Sequence, residues 1–402
     1  MDSDAGHKRD SHRSRPAAET LARLEAQKRR FGITRIAVVT GLDRIGIPVA
    51  LATRPNSRSV AVSQGKGLTL AAAKVSALME AVELWHAEHI VQPLYFAAEQ
   101  DLPDQPAPID VERLARVAGG RYSPDLRMHW IEGLDLMTGR NVLVPHELVH
   151  ADYTHPVPPG HGCFPSSTNG LASGGHRLEA ICYGICEVIE RDAISIWHQR
   201  GREFRARSRI DPSTVDGAAA RTLWDAIERA GLEVALWDAT SDTGVATFHC
   251  LIADRAGTEG HIGLGSGAHP DRTEALARAL SEAAQTRLNY ITGARDDLSF
   301  EEFLPGGRRS KARAAAALLE LGPPARDFTA VPSRNAATFR DDLDWLLERL
   351  ASVSVSEVAV VDLSRNASEF AVVRVVIPGL EALHDDDRYV PGPRAIAARA
   401  SS

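Results

Sequence analysis

The chain has 402 residues, of which 44% are hydrophobic and 25% charged, and a formal net charge of −7. That balance suits a globular fold of one large or two ordinary domains with a sizeable core. An acidic chain lacks the basic face that non-specific nucleic-acid binding requires, and no apolar run reaches the roughly 18 residues that span a bilayer. The opening MDSDAGHKRDSHRSRP has no apolar stretch of the kind a secretory signal needs, and four cysteines are too few for a disulfide framework. The chain is therefore expected in the cytoplasm, with no nucleic-acid or membrane partner.

Residues 1–30 are expected as a polar tail and a short helix. Lys8, Arg9, Arg13, Arg15, Lys28, Arg29 and Arg30 make this the basic part of the chain, and AETLARLEAQKRR has amphipathic spacing. Two strands follow near 33–40 and 47–54, joined by the turn-rich GLDRIG. A third apolar stretch, 60–62, leads through Ser63-Gln-Gly-Lys-Gly into a helix at 70–89. Residues 92–160 carry prolines and short strands without a strong pattern. A loop rich in Ser, Asn and Gly then precedes an unusually apolar helix at 178–197.

The second half repeats one pattern. Residues 220–253 read as helix, strand, a turn at Ser-Asp-Thr-Gly, and strand; residues 341–377 read the same way around Arg365-Asn-Ala. Between them lie a helix at 273–291 and the Pro/Gly/Arg-rich connection PGGRRSKARA. Two αββ units predict mixed sheets with helices on one face, an α+β or mixed α/β class. Residues 31–395 are expected to form a single compound domain, with 396–402 a C-terminal tail.

Three helices carry candidate chemistry. In the first, Val75, Leu78, Met79, Val82 and Trp85 form a core stripe, and Ser76, Glu80 and Glu83 fall on a neighbouring one. The small residues Ala72, Ala73, Ala77 and Ala87 leave room beside the carboxylates. On this helix alone the glutamates are either surface charge or part of a site. In the second helix apolar residues lie on nearly all sides, so Glu187 and Glu190 need a partner: Arg191, a ligand or a metal ion. Cys182 and Cys186 share a face there and read as buried thiols. Two glutamate pairs at i, i+3 would together suit Mg²⁺, which takes oxygen ligands.

The third helix opens at Asp271 and Glu274 in a capping-box-like start. Arg278 and Glu282 form an ordinary i, i+4 pair, or Gln285 and an arginine reach a phosphate. Ser63-Gln-Gly-Lys-Gly and Ser166-Ser-Thr-Asn-Gly-Leu-Ala-Ser-Gly-Gly are each either a phosphate-cradling loop or a simple turn. The first is not a Walker A motif, since Gly67 follows Lys66.

Four segments in this order closely resemble the YcaO family: SQGKGLTLAAAKVSALMEAVELWHAE, STNGLASGGHRLEAICYGICEVIERDA, GSGAHPDRTEALARALSEAAQTR and VVRVVIPGLE. The resemblance runs from about Val39 to Arg394, and GLDRIGIPVALATRPNSRSVAVSQGKG looks most like members encoded beside a TfuA partner. It implies a YcaO-like fold with ATP and Mg²⁺ bound among three helices. The family's motifs fall on Ser76, Glu80 and Glu83; on Glu187, Glu190 and Arg191; and on Glu282, Gln285 and Arg287. The resemblance thus implies Mg²⁺ on the four glutamates of the first two helices. Lys66 and Arg287 are expected to contact phosphates or neutralise the carboxylates. Leu84 stands where many members have arginine, so that phosphate contact is either lost or supplied by Lys66.

The resemblance further implies that a nucleophile adds to a peptide carbonyl, that the oxyanion takes the γ-phosphoryl group of ATP, and that phosphate then leaves. An adjacent Cys, Ser or Thr would give an azoline, sulfide a thioamide, and an amine an amidine. Azoline-forming members typically end in a proline-rich tail, whereas this chain ends YVPGPRAIAARASS. No leader-binding domain is expected in the short polar N-terminal extension. Both features, with the TfuA-like segment, favour thioamidation of a ribosomally made peptide or protein with a TfuA-type partner. Ring formation and a non-catalytic accessory role are the alternatives, and a homodimer is compatible with each.

Overall fold

Hydrophobic spacing and glycine placement account for most elements of the computed structural model, which describes residues 6–9, 12–254, 261–365 and 370–401. The amphipathic N-terminal stretch becomes α1 (Ala17–Gln27). Strands β1 (Arg35–Val38), β2 (Val49–Thr53) and β3 (Val62–Lys66) follow, then α2 (Leu70–Glu88). Ser63-Gln-Gly-Lys is therefore extended strand rather than a loop or turn. Gly65 explains this: a Cβ there would lie 2.7 Å from the Ser76 carbonyl carbon and nearer still to Ala77 N and Ala73 O. Only glycine lets the helix backbone press on the strand this closely.

Residues 92–160, unpatterned in sequence, hold β4 (Leu94–Ala97), β5 (Ala107–Pro108), β6 (Met128–Asp135) and β7 (Asn141–Pro145). The Ser/Asn/Gly-rich loop turns at Gly170 (φ +79) and ends as β8 (Leu171–Gly174), which feeds α3 (Arg177–Gln199). A short α4 (Arg202–Arg207) leads to the first αββ repeat: α5 (Ala218–Arg229), β9 (Leu232–Asp238) and β10 (Thr247–Asp254).

Next come β11 (Gly263–Ala268), α6 (Arg272–Thr292) and α7 (Pro305–Leu319). The second repeat is α8 (Phe339–Ser352), β12 (Ala359–Asp362) and β13 (Ala371–Val376), and α9 (Pro393–Ala400) follows. Its expected turn at Arg365-Asn-Ala extends outside the described residues, as do positions 1–5 and 10–11 of the N-terminal tail. The stretch PGGRRSKARA, expected as a connection, is instead the start of α7. Pro305 occupies the first helical position, where its missing N–H costs nothing, and the Arg, Lys and Ala beyond it favour helix.

The chain forms two compact units, each drawn from separated segments. One takes residues 17–81 and 200–335. In it β1, β2 and β3 make an antiparallel sheet, and β11-β10-β9 make another. Leu223, Trp224 and Ile227 of α5 join Phe248, Cys250 and Ile252 of β10 and Leu276, Leu280 and Ala283 of α6 in its core. Full burial of each large apolar side chain there stabilises by roughly 1.5–3 kcal/mol.

Gly263, Gly265 and Gly267 alternate along β11, so all three face α6, and a Cβ at each would strike Ala283 O, Ala279 O and Ala275 O respectively. Two strand residues span about 6.7 Å and four helix residues about 6 Å, so a glycine every second position meets a helix carbonyl every fourth.

The other unit takes the described residues up to 16, with 82–199 and 336–401. Its seven-stranded sheet has the order β5-β7-β6-β12-β13-β8, with β4 also paired to β6, and every pairing is antiparallel except β5 with β7. α3 packs on β8 and β13. Gly184 of α3 sits where a Cβ would come within 2.6 Å of Val375 Cγ2, which lets the helix approach β13. α3 buries residues on nearly all sides, from Leu178 to Trp197. All four cysteines of the protein are free and buried, including Cys182 and Cys186.

Candidate functional site

In the unit of residues 17–81 and 200–335, β3, the first part of α2 and α6 carry Lys66, Ser76, Glu80, Glu282, Gln285 and Arg287. The Lys66 Nζ donates to Glu282 Oε2 at 2.6 Å, and the other Glu282 oxygen accepts from the Ser266 N–H at 3.4 Å. Glu282 is thus tied to the lysine of β3 and to the β11 backbone. Gln285 Nε2 donates to Gln64 Oε1 at 3.3 Å. The remaining amide atoms, Gln64 Nε2 and Gln285 Oε1, are buried without a hydrogen-bond partner, as is Ser63 Oγ. A spare donor beside a spare acceptor can take a nucleotide's polar edge. Ser76 lies in the turn of α2 that presses on Gly65.

Glu80 is part-buried, and burial pushes its carboxyl above the ordinary range. Arg295, the Gln64 backbone N–H and Lys66 pull the other way without cancelling that push. A carboxylate in so unfavourable a setting gains from an added cation. Arg295 also donates through Nε to Asp297 Oδ1 at 2.7 Å. Arg287 is buried at 4% exposure. Its Nε donates to Asp43 at 2.8 Å, and its Nη1 to Asp254 at 3.2 Å and to the His261 carbonyl. In this arrangement its charge is matched by two aspartates.

In the unit of residues 82–199 and 336–401, the end of α2 and α3 carry Glu83, Glu187, Glu190 and Arg191. Ser173 Oγ on β8 donates to Glu83 Oε1 at 2.5 Å. Glu190 is 6% exposed, with Arg191 Nη1 at 3.6 Å. Glu187 instead acts on Arg374 of β13, which is 2% exposed and donates through Nη2 to the Ser167 carbonyl at 2.6 Å. Burial lowers the Arg374 guanidinium, against the opposing charges of Tyr153 and Glu187. Leu84 is core at 3% exposure, so this position supplies packing and no polar contact.

The donor chemistry fits the group the sequence implied. Glu80, Glu83, Glu187 and Glu190 offer hard carboxylate oxygens of the kind Mg²⁺ takes, and Lys66 and the glutamine pair offer phosphate-compatible donors. Sequence reading missed Arg295, Gln64 and Ser173. Arg295 lies two residues past Gly293, whose φ of +57 ends α6, so helical periodicity carries no information about it. Gln64 and Ser173 lie inside stretches that read as loops but are strands.

Comparison with known proteins gives concordant findings. The family model described as YcaO cyclodehydratase, ATP- and Mg²⁺-binding, matches residues 64–381. An uncharacterized protein in the tfuA 3′ region of Rhizobium leguminosarum bv. trifolii is 37% identical over 390 residues, covering 94% of this chain and 91% of that protein. The structure of YcaO from Methanopyrus kandleri bound with AMPPCP and Mg²⁺ matches with a TM-score of 0.73 and 26% identity, covering 98% of each chain. A heterocyclase in complex with substrate and cofactor matches with a TM-score of 0.78 at 20% identity. That alignment covers 99% of this chain and 57% of the heterocyclase, and at such identity the likeness concerns the fold. Among the described residues no helix is long and apolar enough to cross a membrane.

Proposed function

The chain belongs to the YcaO family, whose cofactors are ATP and Mg²⁺, and on that premise we propose that it activates a peptide backbone amide for thioamide formation with a TfuA-type partner. The observation that carries the chemistry is the pair of glutamates on each of α2 and α3, among them a carboxylate raised by burial and another 6% exposed. The relative in a tfuA 3′ region supports the thioamide branch.

When bound, ATP supplies the phosphoryl group that makes an amide oxygen a good leaving group, with Mg²⁺ offsetting phosphate charge. Glu80, Glu83, Glu187 and Glu190 hold the metal, and Ser173 orients Glu83 through its hydroxyl. Lys66, Ser76, Arg191, Glu282 and Gln285 meet the nucleotide, with Lys66 fixed in advance by Glu282. The sequence resemblance implies a nucleotide contact for Arg287 too, but its buried pairing with Asp43 and Asp254 supports a positioning role that anchors α6.

The second reading, an azoline-forming cyclodehydratase, is favoured by the family's description. Mass spectrometry separates the two. With ATP, sulfide, a TfuA-type partner and a peptide substrate, exchange of oxygen for sulfur adds about 16 Da, whereas ring formation removes about 18 Da. Glu187→Gln should abolish either product, since a neutral amide is a poor Mg²⁺ ligand. Loss of water would overturn the thioamide assignment, and full activity in the variant would overturn the metal assignment.

A further inference from the structure

We infer that His146, His150 and His161 form a binding site for a divalent d-block ion of the zinc kind, separate from the glutamates. One ligand nitrogen from each lies within 4.8 Å of the others. His146 opens the short 3₁₀ turn after β7 (His146–Leu148) and His150 follows it, and their rings stack with centroids 4.7 Å apart and planes 9° apart. His161 comes from the following loop, its ring 4.9 Å from that of His150.

The site is built rather than incidental. Glu147, between the first two histidines, accepts from the backbone N–H groups of Gly162 at 2.6 Å, Cys163 at 3.2 Å and Phe164 at 3.4 Å. A buried carboxylate on the turn thereby holds the loop that presents the third imidazole. His146 is 9% exposed and His150 4%. His146 Nδ1 and His161 Nε2 are buried without a hydrogen-bond partner, as is Nδ1 of His129 on β6, whose ring is 6.3 Å from that of His146. Buried polar nitrogens are rarely left unpaired, so those on His146 and His161 leave donor capacity within the cluster that an ion can use.

The donor type selects the ion. Imidazole nitrogens suit Zn²⁺, Co²⁺ and Ni²⁺, whereas Mg²⁺ takes oxygen, so the two kinds of site would not compete for metal. Zn–N bonds of about 2.0–2.1 Å place tetrahedral neighbours about 3.3 Å apart, inside the 4.8 Å within which these nitrogens lie, so loading draws them closer. His150 Nδ1 accepts from the Asp152 N–H at 3.0 Å. Its other nitrogen, Nε2, lies 3.4 Å from His161 Nδ1 and so faces the cluster while Nδ1 keeps that backbone contact. Three protein ligands leave a fourth position open to water or a further ligand.

The test is Co²⁺ titration of the tag-free, chelator-stripped full chain, followed by visible absorption, with zinc content measured after dialysis. We expect about one ion per chain with the spectrum of a nitrogen-ligated tetrahedral or five-coordinate site, undisturbed by millimolar Mg²⁺. His161→Ala should weaken Co²⁺ at least about 100-fold, while the exposed His155→Ala and the glutamate variant Glu187→Gln leave it unchanged. Unaltered Co²⁺ affinity in a folded His161→Ala chain would overturn the assignment, as would no Co²⁺ bound by the natural chain. Histidine ring ¹⁵N shifts in the natural chain, followed during Zn²⁺ addition, keep the test independent of how any variant folds. Unmoved signals from these three rings would overturn it too.

Discussion

Replacing Gly65 with alanine pushes a methyl group into the backbone of α2. The new Cβ would sit 2.7 Å from the Ser76 carbonyl carbon, where ordinary contact begins at 3.4 Å, and closer still to Ala77 N and Ala73 O. Strand and helix must therefore part by about 0.7 Å or more, and no side-chain rotation relieves the clash because all three neighbours are main chain. Overpacking of this kind costs about 1–3 kcal/mol, a fall in thermal midpoint of about 2–12 °C for a unit of this size. Activity should suffer more. Lys66 lies next to Gly65 and Glu80 one turn past Ser76, and misplacement approaching 1 Å can cost about 100-fold in rate. Gly306→Ala is the control: its Cβ would meet nothing within 4 Å, and it lies in α7, where alanine is the better helix former. The assays are differential scanning calorimetry and product formation under one set of conditions. Gly65→Ala with natural stability and turnover would refute the close-approach argument.

Other perturbations probe single groups. Lys66→Ala should weaken ATP binding by calorimetry yet move the thermal midpoint without ATP little, since its ion pair with Glu282 is part-exposed and such pairs contribute about 0–1 kcal/mol; unchanged nucleotide affinity would remove Lys66 from the site. For Asp254, burial alone would raise the carboxyl, but Arg287 and Arg44 outweigh it and hold it below the ordinary range. The folded chain therefore binds that proton more weakly than the unfolded chain, so the stabilisation is complete at neutral pH. It is lost as pH falls below about 4. Asp254→Asn should flatten the acid limb of the urea midpoint against pH, and an unaltered limb would contradict this assignment.

Periodic signals were legible in the sequence, and contact-dependent ones were not. The helices carrying Glu80 and Glu187, and both αββ repeats, were readable because apolar spacing records which face is buried. The strand character of Ser63–Lys66 was hidden, because its glycine serves a helix that passes over it and looks like turn punctuation along the chain. The same ambiguity concealed α7, whose Pro and two Gly at the start resemble a connection. Arg295 and the three histidines follow no period. They become visible only when folding sets Arg295 beside Glu80, and when Glu147 ties one loop to another.

The central sheet also has a temporal side. Asp135 of β6 pairs with Ala359 of β12, and Gly174 of β8 with Ala371 of β13. At about 5–20 residues per second, a ribosome takes about 10–45 s to supply β12 after β6 has been made. During that interval β4 covers residues 128–131 of β6 but Leu134 and Asp135 wait for β12, and β8 has no native neighbour at all, the kind of edge that templates aggregation. Slower synthesis prolongs this exposure and a truncation before residue 359 makes it permanent, so the last sixth of the chain decides whether the first strands of this sheet stay in solution.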